Sequence, residues 1–157
     1  MNAFAQGFQE FELVARRDYD IVLRSTEGDV NLAPKLLSEL IQVGPEVIVT
    51  QDTPLTLAAK RATKEIPIVG AFIAEPVGFG LVESIAHPGG NVTGLFSGID
   101  RLTSKQLELL LQVVPSATRV GVMISANNPA NVLGARLLQS DKAAANSTFP
   151  RRAPIIH

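Results

Sequence analysis

Ile66-Pro67-Ile68-Val69-Gly70-Ala71-Phe72, leading into Glu75-Pro76-Val77-Gly78-Phe79-Gly80 and then His87-Pro88-Gly89-Gly90-Asn91-Val92-Thr93-Gly94, is the stretch that decides the fold. It reads as a buried strand, a sharp turn, a short helix, a Gly-rich turn and a second strand, the repeating unit of a parallel α/β sheet. In sheets of this kind ligands gather where strands end and helices begin. The fold class expected is therefore α/β, a three-layer doubly wound parallel sheet of Rossmann-like type.

The same alternation extends to both sides. Upstream, Phe4, Phe8, Phe11 and Leu13-Val14 are spaced for a helix face, and residues 19–23 form a short strand candidate. Asp29 or Asn31 caps a helix whose apolar stripe is Leu32, Leu36, Leu37, Leu40 and Ile41, ended by Gly44-Pro45. Val47-Ile48-Val49 is a buried strand, and Thr53-Pro54 opens the next helix with a capping hydroxyl and an early proline. Lys60, Arg61 and Lys64 crowd its far end, where the helix dipole favours cations. Downstream, Thr103 and Gln106 make a capping box for a helix with Leu107, Leu110, Leu111 and Val114 on one face, stopped by Pro115. Residues 119–124 form another strand, Asn127-Asn128-Pro129 opens a last helix, and 141–157 form a loose tail.

Composition narrows the function classes. A chain of 157 residues, 46% hydrophobic, can bury one real core. The net charge is -1, the basic residues are scattered, and one Tyr with no Trp leaves little for base stacking, so a nucleic-acid surface is not expected. Absence of cysteine removes disulfides, thiolate chemistry and most structural zinc sites. Pro67, Glu75, Pro76 and the glycines Gly70, Gly78 and Gly80 interrupt the longest apolar region, so it is no spanning helix. The opening Met1-Asn2-Ala3-Phe4 carries no secretion-signal pattern, and on that ground the chain as written reads as cytoplasmic.

An enzyme reading finds little to stand on. Gly78-Phe79-Gly80 imitates a dinucleotide fingerprint with Asp100 downstream, but Glu83 holds the third glycine's place and its carboxylate opposes a pyrophosphate. His87 has no metal-ligating partner nearby, and no nucleophile elbow is present. No catalytic residue, metal site or cofactor is assigned. Asn91-Val92-Thr93 fits a glycosylation pattern but reads as strand entry.

The ordered run 47–60, then Ile66-Pro67-Ile68-Val69, Glu75-Pro76-Val77-Gly78, Gly80-Leu81-Val82, Pro88-Gly89-Gly90-Asn91-Val92-Thr93-Gly94 and Asn128-Pro129 resembles the substrate-binding proteins of ABC importers, in the lineage that includes aromatic amino acid binders. The resemblance covers most of residues 2–140. It implies a periplasmic binding fold of type I, whose two lobes close on a small solute. It further implies a periplasmic protein without enzymatic activity, working with an ABC permease. Against that pattern, 1–98 is expected to be a first lobe lacking its signal peptide and first strand, and 99–140 the start of an incomplete second lobe. In a sheet of order 2-1-3-4-5 the missing strand is central, so its loss would leave backbone groups unpaired. Residues 119–124 are expected to fill the place, in their own chain or by exchange with a partner.

Ligand candidates follow from the helix-opening corners. Gln51, Asp52 and Thr53 set a helix start beside polar side chains, suited to a carboxylate, although ordinary capping explains Asp52 and Thr53 as well. Ala74 and Glu75 stand at the next strand end, where Glu75 is either an acceptor for a ligand amine or a solvated turn carboxylate. Asn127 and Asn128 match a second-lobe contact in the family, or simply cap their helix. The expected ligand is an amino acid or small organic acid. The alternatives are a self-associating α/β remnant that buries its apolar surface in a homodimer and, last, a nucleotide-using enzyme.

Overall fold

The computed structural model describes residues 2–98 without a break, and beyond them Lys105, 109–110, 112–116, 121–126, 128–129, 131–133 and Arg136. Helix α1 (Asn2–Glu10) is followed by a 3-10 turn (Val30–Leu32), α2 (Ala33–Gln42), β1 (Ile48–Thr50), α3 (Thr53–Ala62), β2 (Ile68–Ile73) and β3 (Val92–Phe96). The three strands form one sheet in the order β1-β2-β3. Both pairings are parallel, with Ile48 opposite Ile68 and Ile68 opposite Val92. The parallel α/β class expected from the sequence is what the structure has.

Local chemistry explains the helices. Asp29 Oδ1 accepts the Asn31 N–H at 3.0 Å and caps the 3-10 turn, and Pro34 then fits the first turn of α2, where a missing N–H costs nothing. Ala33 and Leu37 turn inward to meet Ile48, Ala59, Ile68, Ile73, Leu81 and Val92 in one apolar cluster. Burial of a side chain such as Ile68 or Leu81, both fully covered, contributes roughly 1.5–3 kcal/mol each.

Helices α2 and α3 pack on the sheet face that carries Ile48, Ile68 and Val92. On the opposite face Val49 is 45% and Leu95 70% exposed, so no described helix buries that side and a third layer is not among the described elements. Helix α1 docks elsewhere, its Phe8 ring stacked on Tyr19 with centroids 4.2 Å apart. It is also shorter than expected, ending at Glu10, and Glu12 adopts φ 60° in the turn that follows.

Three sequence expectations are corrected. Residues 19–23 make no strand: Tyr19 forms only an isolated bridge with Ala15, and Ile21, Val22 and Leu23 stay exposed. A β-prone run gains its backbone bonds only from a neighbouring ladder. Residues 74–91 hold no helix between β2 and β3. Instead Phe79 N–H bonds to Glu75 O, and Gly80 N–H to Val77 O, in successive turns. Pro76, Gly78 and Gly80 are poor residues for helix propagation. Lys60 Nζ closes this connection by donating to the Gly80 and Leu81 carbonyls at 2.6 and 3.0 Å.

The third concerns 119–124. Its described part, 121–124, stands outside the three-stranded sheet, with Met123 99% exposed, while 119–120 lie outside the described residues. To reach the outer edge of β1, the chain leaving β3 would have to pass over the whole sheet, against the tendency of successive strands to be neighbours. For these four residues, what is left of the expectation is exchange with a second copy. The capping box at Thr103 and Gln106, and the tail 141–157, also lie outside the described residues.

At the surface, Arg17 lies against Asp18 at 2.7 Å and, with the Val14 N–H, holds that carboxyl below its ordinary value. A depressed carboxyl stabilises its turn above the ordinary value, and that support is lost as pH falls through the lowered one.

Candidate functional site

The C-terminal ends of the three parallel strands lie side by side, because parallel pairing brings equivalent ends to one rim. At the first end, Asp52 rather than Thr53 is the N-cap of α3: its Oδ1 accepts the Leu55 N–H at 2.9 Å. The Thr56 hydroxyl donates to the Asp52 carbonyl at 2.6 Å, and its oxygen lies 2.8 Å from the Thr50 hydroxyl, which therefore donates to it. Both hydroxyl hydrogens of this buried pair thus have acceptors, which fixes the corner firmly.

Thr53 is 2% exposed, and its hydroxyl reaches across to the second strand end. Thr53 Oγ1 accepts the Ala74 N–H at 2.9 Å. Two of the predicted corners, 51–53 and 74–75, are thereby joined directly. Ala74 is buried, Gln51 is exposed, and Glu75 is half-buried with φ 46°. Of the first four residues of α3, Pro54 has no N–H and the N–H groups of Leu55 and Thr56 are taken up by Asp52, so this helix start keeps few N–H groups for a ligand.

Sequence reasoning missed the third strand end. Ser97 follows β3, and its N–H and hydroxyl both donate to the Ile73 carbonyl, at 2.9 and 3.2 Å. The rule that singled out 51–53 and 74–75 would have found it had it been applied to the strand opened by Asn91-Val92. Asn91 itself serves the scaffold. Its Nδ2 donates to the Ile66 and Thr63 carbonyls at 2.9 and 3.2 Å, pinning the start of β3 to the start of β2.

Asn128 opens the helix that begins at Pro129: its carbonyl accepts the Asn131 and Val132 N–H groups. It is not among the residues that the rim bonds join, and Asn127 lies outside the described residues. A groove of about 530 Å³ runs between α2 and α3, lined by Ser38, Ile41, Gln42, Ala58 and Arg61 among others, and none of the predicted ligand residues lines it. Among the described residues no three histidine or carboxylate side chains gather as metal ligands would. What the rim offers is one polar, rigid wall.

The model of the ABC transporter substrate binding protein family matches residues 1–149. The chain belongs to that family. A tyrosine-binding protein of Clostridioides difficile is 33% identical over 109 residues, 68% of this chain and 30% of the relative. Among solved structures, a conserved domain protein from Vibrio cholerae is 27% identical with a TM-score of 0.79, covering 92% of this chain and 47% of that one. An ABC domain in complex with L-Trp from Streptococcus pneumonia is 25% identical, also at 0.79, covering 95% of this chain and 49% of its own. This member of the substrate-binding family therefore spans about half the length of the solved relatives and less than a third of the curated one. No helix among its described residues is long and apolar enough to cross a membrane.

Proposed function

We propose that this chain is a first-lobe portion of an ABC importer's solute receptor, and that the rim at Gln51, Asp52, Thr53, Ala74 and Glu75 takes one side of an amino acid or similar small organic acid. The observation that carries the reading is the Thr53–Ala74 hydrogen bond, which unites two neighbouring strand ends on a fold similar to that of an L-Trp complex. Asn127 and Asn128 belong to a second wall of the cleft. The partner is an ABC permease, the setting periplasmic or extracellular, and the role one of binding without catalysis.

A single wall leaves much of a ligand in water, whereas a pocket normally covers most of its surface. Isothermal calorimetry with a panel that includes L-tryptophan and L-tyrosine is expected to show weak, saturable binding to the isolated chain. No heat with any amino acid or small organic acid would contradict the reading.

The bare sheet face around Val49 and Leu95 and the exposed 121–124 segment favour a second property, a homodimer in which copies cover these surfaces and exchange that segment onto the open edge of β1. Light scattering is expected to give twice the mass of 16.7 kDa. A monodisperse monomer would refute the dimer. A dimer that binds none of the panel would instead support a self-associating remnant.

A further inference from the structure

Ile73 C=O and Ala74 N–H are the two ends of one peptide unit, and the structure grips it from both sides. On one side the buried Thr53 Oγ1 accepts the Ala74 N–H at 2.9 Å. On the other, Ser97 donates to the Ile73 carbonyl with both its N–H and its hydroxyl, at 2.9 and 3.2 Å. The contacts span 21 and 24 residues of sequence. They meet at Ile73, which pairs with Phe96 of β3 just after a register shift between Gly70 and Ile73. The Ser97 N–H bond therefore continues that ladder, and the Thr53 and Ser97 hydroxyls are what side chains add to it.

We infer that Thr53 and Ser97 form a clamp on the Ile73–Ala74 peptide that sets the ligand-facing rim, and that Ser97 is a positioning residue of the site. Two neutral hydrogen bonds in series through one peptide polarise one another, so each hydroxyl strengthens the bond at the opposite end. Glu75 follows directly, and its backbone at φ 46° is a conformation that a non-glycine residue holds only when its surroundings determine it. Releasing either jaw loosens the peptide that leads into Glu75, and with it the backbone that sets where Glu75 stands on the rim. The ligand consequence rests on the function proposed above, and the clamp itself does not.

The test uses the full chain with Ser97→Ala, Ser97→Thr and Thr53→Val. Amide hydrogen exchange at Ala74, read by NMR, is expected to quicken about fivefold in Ser97→Ala, the factor that one lost ordinary hydrogen bond represents. Ser97→Thr keeps the hydroxyl and is expected to restore the wild-type rate. Exchange at Ala59, in the middle of α3, serves as the control for general loosening and should stay unchanged. If Ala74 exchange ignores position 97, or Ala59 quickens equally, the clamp is overturned. Titration with L-tryptophan and L-tyrosine is expected to weaken about fivefold in Ser97→Ala and recover in Ser97→Thr, in step with the exchange. Absence of wild-type binding would count against the proposed function alone, because the Ala74 exchange decides the clamp without any ligand.

Discussion

Gly94→Ala is expected to destabilise the chain severely. Gly94 holds φ 152°, outside the range that residues with a Cβ ordinarily adopt, and a Cβ built there would overlap the carbonyl oxygen of Gly70 on the neighbouring strand. The obstacle is backbone, which has no rotamer to move to. Forcing β2 and β3 apart costs about 3 kcal/mol or more once strain and overpacking are combined. Single domains commonly hold only about 5–15 kcal/mol in total. Urea denaturation followed by circular dichroism should show the midpoint collapse, and a wild-type midpoint would mean that β2 and β3 do not approach as described.

Ile68→Ala is the second large effect. Ile68 is fully buried on the central strand, opposite both Ile48 and Val92 in register, and it packs in the same cluster as Ala59 of α3 and Leu37 of α2. Its truncation is expected to cost about 2–5 kcal/mol, the lost transfer energy plus the cavity left behind. Val49→Ala supplies the contrast. Val49 points to the other sheet face and is 45% exposed, so its loss should cost under about 1 kcal/mol in the same denaturation experiment. Equal penalties at the two positions would show that the second face is covered in solution, and would favour the dimer.

The features legible in the sequence were those written in local chemistry. The stripe with Leu37 at its centre, Gly44-Pro45 after α2, and the apolar runs of β1, β2 and β3 each leave a periodic or punctuating mark within about a dozen residues. So did the corners 51–53 and 74–75, because a parallel sheet brings its strand ends to one rim. The opening of α3 was read one residue late: Asp52 caps it, which freed the Thr53 hydroxyl for Ala74. Contacts that reach across the chain left no such mark. Lys60 at the end of α3 looked like a dipole partner, and only the folded connection shows it holding Gly80 and Leu81. Residues 19–23 failed for a related reason, since β-propensity is realised only beside another strand. Ser97 was missed because its significance comes from sharing a carbonyl with β2.

The rigid corners also support the proposal that these strand ends form a binding wall. Buried hydroxyl pairs such as Thr50–Thr56 resist rearrangement, because breaking one leaves a polar group without a partner at a cost of about 1–3 kcal/mol. A wall fixed in this way needs little ordering when a solute arrives.

Amide NMR during titration with L-tryptophan and with L-tyrosine reports directly on whether the strand ends receive a ligand. Saturable shifts concentrated at 51–53, 74–75 and Ser97 are predicted. Shifts centred on the groove between α2 and α3, or a spectrum unmoved by either amino acid, would contradict the reading of this chain as a solute-receptor lobe that binds at its strand ends.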